Sequence, residues 1–121
     1  MIALSNRAHI LAPPEARERL VWCMTTLLGC GAPVTMSLPG LAEPMLAFRF
    51  PDGGSMSIEF TDRALDEANV RRGAWFELKT DDPGALARRV VDAGLPRVSA
   101  IAPDRFYFAL PGGQVLGIVG A

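Results

Sequence analysis

The residues with the most chemical potential lie on strand-like segments, where side chains alternate between two faces. His9, the only histidine, shares a face with Arg7, opposite Ala8 and Ile10 on the other face. Glu59 likewise lies opposite an apolar set, and so do Trp75 and Glu77. A histidine and a carboxylate can act as an acid/base pair, whereas a large aromatic side chain favours contact with a planar or apolar molecule. The alternation therefore predicts a mixed, ligand-binding face.

No other catalytic motif stands out in the sequence. There is no G-x-S-x-G nucleophile turn, no phosphate-binding P-loop and no dinucleotide fingerprint, and one histidine is all that any triad could use. The sequence therefore leaves open whether any reaction is catalysed.

Length and charge limit the possible classes of protein. The chain has 121 residues and is 50% hydrophobic, which suits one domain with one core. Its net charge is -1 at pH 7, so there is no basic excess to attract a phosphate backbone. We expect no nucleic-acid partner.

One uncharged stretch, residues 20–42, raises the question of a membrane span. Gly29, Gly31, Pro33 and Pro39 interrupt it, so it cannot form one continuous spanning helix. The N-terminus lacks a basic flank followed by a sustained apolar core, as a secretory signal would have. We expect no membrane partner and a cytoplasmic location.

Cys23 and Cys30 are the only cysteines. Seven positions apart along a helix, their Cα atoms would be about 10 Å apart, beyond disulfide reach. Both are expected to be reduced, either as small buried apolar residues or as a reactive thiol.

The end of the chain repeats in degenerate form a pattern used earlier. FPDGG at residues 50–54 and LPGG at residues 110–113 each separate two strand-like runs. A strand, a helix and a further strand precede each of these pairs of strand-like runs. The order of one strand, one helix and three strands therefore occurs twice. Residues 1–62 form the first module, 63–73 a linker and 74–121 the second module. The predicted strands are 2–11, 34–38, 45–50, 55–61, 74–80, 98–101, 105–109 and 114–119, and the predicted helices lie within 13–28 and 82–94.

These segments resemble the vicinal oxygen chelate superfamily, which contains glyoxalase I, extradiol dioxygenases and the fosfomycin- and bleomycin-resistance proteins. WFELKTDDPGALARRVVDAG and RFYFALPGGQVLG are similar to the family's second module, and AHILAPP and FRFPDGGSMSIEF to its first. The resemblance implies an α+β fold in which two tandem βαβββ modules form a cupped mixed sheet around a small ligand.

The resemblance also implies where a metal would bind in metal-dependent members. His9 and Glu59 match two of four ligand positions, whereas Trp75 and Gly117 match the other two and supply no side-chain ligand. Two protein ligands are fewer than the three that catalytic sites usually keep. We therefore expect no metal and no other cofactor.

Further ligand contacts follow from the resemblance and from strand alternation. Tyr107 matches a position that lines the cavity in fosfomycin-resistance members. Arg7, Arg49 and Lys79 share the cup-facing parity and together could hold an anionic ligand, and Glu77 shares the face of Trp75. The expected binding residues are thus His9, Glu59, Trp75, Tyr107, Arg7, Arg49 and Glu77.

Three functions remain open at this point. The first is a homodimeric protein that binds a small, partly aromatic or anionic molecule without metal. The second is a lyase, isomerase or dioxygenase whose altered metal site is completed by Glu77, water or a partner chain. The third is an interaction module whose cup is plugged by Trp75.

Overall fold

A computed structural model describes residues 1–99 and 102–121. The chain divides into two compact units, residues 1–64 and 65–121. Each unit contains a four-stranded mixed sheet accompanied by helices. The predicted α+β class and the repeated order of one strand, one helical segment and three strands are confirmed.

In the first unit, β1 (Arg7–Ala12) is an edge strand and pairs in parallel with β4 (Ser55–Phe60). β3 (Met45–Arg49) and β2 (Val34–Met36) follow in the order β1-β4-β3-β2, and these remaining pairs are antiparallel. The elements are β1 (Arg7–Ala12), a 3-10 turn (Pro14–Ala16), α1 (Arg17–Trp22), a π-helical turn (Cys23–Leu27), β2 (Val34–Met36), β3 (Met45–Arg49) and β4 (Ser55–Phe60).

β1 is shorter at its start than the sequence pattern predicts. The alternation suggested a strand from residue 2, but pairing with β4 begins only at Arg7, opposite Ser55. Residues 2–6 have no strand partner because β4 itself begins at Ser55 after the hairpin turn. A strand needs a neighbour to satisfy its backbone groups, so alternation alone overestimated its length.

Apolar side chains on one face of the first sheet pack with the helical segment. Phe48 and Ile58 of the sheet and Leu20 and Met24 of the helical segment are fully buried. Arg17 at the start of α1 lies over the Phe60 ring at 4.8 Å, and its guanidinium donates to the Glu43 carboxylate and the Pro44 carbonyl. This arrangement holds the helix start against the sheet.

The uncharged stretch 20–42 is divided among several short elements. The helical segment ends at Leu27, Gly29 has a φ of 78°, and β2 follows. Across residues 1–99 and 102–121, no helix has the length and apolar character needed to cross a membrane.

The second unit contains β5 (Trp75–Thr80), β6 (Arg97–Val98), β7 (Phe106–Ala109) and β8 (Val115–Gly120). Their order in the sheet is β5-β8-β7-β6, and β5 and β8 form the parallel pair. The segment 63–73, assigned as a linker from sequence, contains one helical turn capped by the Asp66 side chain. Residues 100 and 101 of the predicted strand 98–101 lie outside the described residues. The elements are α2 (Glu67–Val70), β5 (Trp75–Thr80), α3 (Pro83–Asp92), β6 (Arg97–Val98), β7 (Phe106–Ala109) and β8 (Val115–Gly120).

α3 begins and ends where its sequence predicts. The Asp82 carboxylate accepts the N–H of Ala85 at 3.0 Å, and Pro83 occupies the first turn. Gly94 has a φ of 78°, a conformation that glycine adopts without a Cβ penalty. Leu95, just beyond it, is buried.

The two hairpin turns share one geometry, which supports the internal repeat. In residues 50–54 the first N–H donates to the fifth carbonyl at 2.8 Å, and the fourth N–H donates to the first carbonyl at 2.9 Å. Residues 110–114 make the same two bonds at 2.9 and 2.8 Å. The fourth residues, Gly53 and Gly113, have φ values of 97° and 104°, which explains why glycine stands at this position in both turns.

Candidate functional site

In the second unit, the β5 side chains on the face of Trp75 are exposed, whereas Tyr107 and Val115 on the same face are buried. Trp75, Glu77 and Lys79 alternate along β5 with the more buried Phe76 and Leu78. Trp75 keeps 46% of its surface accessible. This large aromatic side chain is therefore available for contact with another molecule.

Tyr107 supports Trp75 from across the sheet. The two rings have centroids 5.8 Å apart and planes at 85°, an edge-to-face arrangement that aromatic pairs favour. Tyr107 is only 3% exposed, in contrast to Trp75. One ring of the pair is thus fixed by packing while the other remains accessible.

Gly117 makes this pairing possible. It lies on β8, between β5 and β7, directly opposite Tyr107. A Cβ at Gly117 would lie 2.8 Å from Cε1 of Tyr107, closer than real Cβ atoms come. The missing side chain therefore leaves the space in which the Tyr107 ring lies.

An ion pair crosses β8 beside the aromatic pair. The Arg105 guanidinium, just before β7, donates to the Glu77 carboxylate on β5 at 2.6 Å. Both side chains remain about half exposed. Glu77 therefore faces the same side as Trp75, as predicted, but its carboxylate already has a cationic partner.

The first unit presents a polar face made by the equivalent strands. Arg7 and His9 on β1 are exposed, and Ser57 and Glu59 on β4 are half-buried. His9 lies beside Ser57 in the parallel pair, and Glu59 is two residues further along β4. His9 and Glu59 thus share a face as diagonal neighbours, as strand alternation predicts.

Arg49 joins this polar face from β3. Ser55, at the start of β4, pairs with Arg7 on one side and with Arg49 on the other. Both arginines are exposed. The three residues form one row across three strands.

The strand pairing in the two sheets gives an alignment of the first unit with the second. This alignment differs by two residues from the one that the family resemblance implies. Counting from equivalent ladder positions, His9 corresponds to Glu77, and Arg7 corresponds to Trp75. The resemblance instead pairs His9 with Trp75. Under either alignment, the only carboxylate that β5 offers on this face is Glu77.

These residues do not fit the four-ligand metal site that the fold family implies. Trp75 has no ligand atom, Gly117 is covered by the Tyr107 ring, and Glu77 is paired with Arg105. Within residues 1–99 and 102–121, no group of three or more His, Cys, Asp or Glu side chains is arranged to hold a metal ion.

Both cysteines are free and buried in the first unit. Burial raises the pKa of the Cys30 thiol to about 11, and burial likewise raises the pKa of Cys23, opposed by the charge of Arg19. The thiolate is the reactive form of cysteine, so a raised pKa lowers the reactivity of these thiols at neutral pH. Their environment favours a packing role over a nucleophilic one.

The sequence did not identify a groove on the opposite, helix-bearing side of the second sheet. This open cavity of about 570 Å³ lies between the start of α3 and the strands β7 and β8, and its lining includes Pro83, Arg97, Arg105 and Ile118. Arg97 covers the Phe106 ring at 4.7 Å. No sequence motif marks this cavity, because its residues come from separate segments.

Solved structures share this fold at low sequence identity. The fosfomycin resistance protein FosX from Mesorhizobium loti is 16% identical, with a TM-score of 0.71 over 98% of this chain and 91% of that chain. A glyoxalase/bleomycin resistance protein/dioxygenase superfamily member from Sphaerobacter thermophilus is 15% identical, with a TM-score of 0.70 over 100% and 99% of the two chains. TnmS3, an antibiotic binding protein from Streptomyces sp. CB03234, is 16% identical, with a TM-score of 0.64 over 99% and 98%.

No protein-family model matches the sequence, and no curated protein matches it. The structural likeness nevertheless spans the whole chain. The protein therefore has the vicinal oxygen chelate fold of glyoxalase and bleomycin-resistance proteins, which confirms the resemblance at the level of fold.

Proposed function

We propose that this protein binds a small, planar aromatic molecule on the Trp75 face of its second unit, without a metal ion. The observation that carries the proposal is the pairing of an accessible Trp75 with a buried Tyr107. Aromatic side chains contribute large contact areas and specific ring geometry to binding. A rigidly supported indole loses little conformational freedom when a ligand binds.

Exposure alone does not distinguish Trp75 from the other tryptophan. The exposed fraction of Trp22 is also 46%, but Trp22 lies on α1. Trp75 differs because it lies on the exposed side of β5, with the Tyr107 ring against it and an ion pair beside it. The proposal therefore rests on the surroundings of Trp75.

Charge near Trp75 narrows the expected ligand class. Glu77 carries one negative charge, and Arg105 and Lys79 carry one positive charge each. These three side chains together leave one positive charge on the face. A neutral or anionic aromatic molecule suits this surface better than a cationic one, because like charges repel.

Binding, rather than catalysis, is the activity that these residues support best. A planar contact surface needs no acid, base or nucleophile. The structurally similar TnmS3 is an antibiotic binding protein, so a protein with this fold can have a binding role. The alternative function is a metal-dependent lyase, isomerase or dioxygenase. Stoichiometric metal in protein purified without chelators would favour this alternative.

His9, Glu59, Arg7 and Arg49 on the first unit's polar face are proposed as a second, separate contact surface. His9→Ala and Glu59→Gln test it directly. Loss of ligand affinity in these variants would support it, and unchanged affinity would make these residues ordinary solvated strand positions.

Calorimetric titration against a panel of neutral and anionic planar aromatics tests the main proposal. Trp75→Ala should weaken binding by roughly 10- to 100-fold, about 1.4–2.8 kcal/mol, the scale of a buried aromatic contact. Trp22→Ala is the matched control, because it removes an equally exposed tryptophan, and it should leave affinity unchanged. Equal effects of the two substitutions, or no binding by any compound, would contradict the proposal.

Compartment and assembly complete the proposal. We infer a cytoplasmic homodimer; the two free cysteines are compatible with a reducing compartment. Light scattering on the purified protein measures the oligomeric state directly. A mass of one chain at micromolar concentration would contradict the dimer and leave the binding proposal intact.

A further inference from the structure

A row of cationic and hydroxyl side chains lies at one end of the first unit's polar face. Ser55 on β4 pairs with Arg7 on β1 and with Arg49 on β3. Because paired residues on neighbouring strands point to the same face, all three side chains lie on one side of the sheet. Neighbouring strands are about 4.8 Å apart, so the two arginine Cα atoms are roughly 10 Å apart.

The two arginines have no acidic partner among the described residues. The ion pairs found in residues 1–99 and 102–121 join Arg17 to Glu43, Arg71 to Glu67 and Arg105 to Glu77. Arg7 and Arg49 take part in none of them. Their positive charges therefore face solvent from both sides of the Ser55 hydroxyl.

The carboxylates of Asp52 and Glu59 form no ion pair with this row among the described residues. Asp52, in the turn before β4, accepts the N–H of Gly54 at 2.9 Å. Glu59 is four residues beyond Ser55, about 13 Å along the strand. The intervening row consists of His9, Ser57 and Ala47, which add no negative charge.

We propose that Arg7, Ser55 and Arg49 form a binding site for an oxyanion group of a small molecule, a phosphate, phosphonate or carboxylate. A guanidinium presents several N–H donors in a planar fork that matches two oxygens of such a group. Two guanidinium groups can approach an anion from opposite sides, and the Ser55 hydroxyl can donate from between them. Opposite charge favours the complex.

This site is independent of the aromatic contact proposed for Trp75. It uses different strands, different residues and a different kind of interaction. An anion can bind at the arginine row even if Trp75 binds nothing, so the two proposals fail separately.

Nuclear magnetic resonance titration with inorganic phosphate at constant ionic strength tests the site. Backbone amide signals of Arg7, Ser55 and Arg49 should shift and saturate together. Arg7→Gln and Arg49→Gln should each weaken phosphate binding at least 10-fold. Arg72→Gln, which removes the same charge from an exposed position in the second unit, should change affinity less than 2-fold.

Parallel titrations identify the preferred anion. Methylphosphonate and acetate replace phosphate under the same conditions, and stronger saturation by one of them identifies a phosphoryl or a carboxylate ligand. Ser55→Ala should weaken whichever anion binds, because it removes the central hydroxyl donor while keeping both charges.

Three results would overturn the proposal. They are the absence of saturable shifts with all three anions, equal weakening by Arg72→Gln, and unchanged affinity in both arginine variants. The spectra themselves report folding of each variant. If Arg7→Gln does not fold, Arg7→Lys replaces it; loss of the planar fork should then weaken binding about 3-fold, and unchanged affinity would count against the site.

Discussion

The two units share the same strand order and turns, but they carry different side chains at equivalent positions. Their hairpin turns make the same hydrogen bonds, and their strands pair in the same order. At equivalent ladder positions, however, Ala47 faces Ser57 in the first unit, whereas Tyr107 faces Gly117 in the second. The first pair consists of two small side chains, and the second combines a large ring with a glycine.

This difference shows which positions determine the scaffold and which determine the surface. Turn glycines and helix-facing apolar residues maintain the fold in both units. The other face differs between the units, because Tyr107 is buried on it in the second unit, whereas Arg7 and His9 are exposed on it in the first. Because Gly117 has no side chain, the Tyr107 ring can lie across β8, and this one position therefore affects the chemistry of the face.

Removal of the ring should have the largest effect. Tyr107→Ala should lower the free energy of unfolding by about 3–5 kcal/mol, because it empties a buried aromatic site. Urea denaturation measures this loss. Tyr107→Phe is the control: it keeps the ring, and we expect a loss of about 1 kcal/mol or less. A loss below 1 kcal/mol for Tyr107→Ala would show that the ring is not packed as described.

Alanine at the equivalent positions compares the two faces: Gly117→Ala adds a methyl group, whereas Ser57→Ala removes a hydroxyl and needs no additional space. Gly117→Ala should destabilise the protein by about 1–3 kcal/mol, because its Cβ forces Tyr107 to move. Ser57→Ala, at the matching position in the first unit, should stay within about 0.5 kcal/mol of the parent. Similar losses for both would mean that the two faces do not differ in packing.

The ion pair beside Trp75 should contribute least. A double-mutant cycle with Glu77→Gln and Arg105→Gln should give a coupling energy of about 0.2–1 kcal/mol, because both side chains are about half exposed. High salt should reduce the coupling. A coupling above 2 kcal/mol would indicate a desolvated pair, and the face would then be less open than described.

Local features were predictable from sequence, whereas pairings across the sheet were not. The helix within residues 82–94 and both hairpin turns depend on a few neighbouring residues, and the sequence predicted each. Their residue types match the backbone conformations that these positions require.

The missed interactions depend on strand register. Arg105 and Glu77 are 28 positions apart, and nothing in either segment indicates that they meet. Similarly, Gly117 was interpreted as a lost ligand position, whereas the structure gives it a packing role beneath Tyr107. A register must be known before such neighbours can be assigned, because one step of two residues changes every partner on a face.

The central claim is that the Trp75 face binds a planar aromatic molecule, and one NMR titration tests it most directly. The indole N–H groups of Trp75 and Trp22 give two separate signals in one spectrum, so each sample contains its own control. Addition of a neutral planar aromatic from the panel should shift the Trp75 indole signal and the amides of Tyr107 and Gly117 in a saturable manner, while the Trp22 signal stays in place. Equal shifts of both indoles, or a shift of Trp22 alone, would contradict the account.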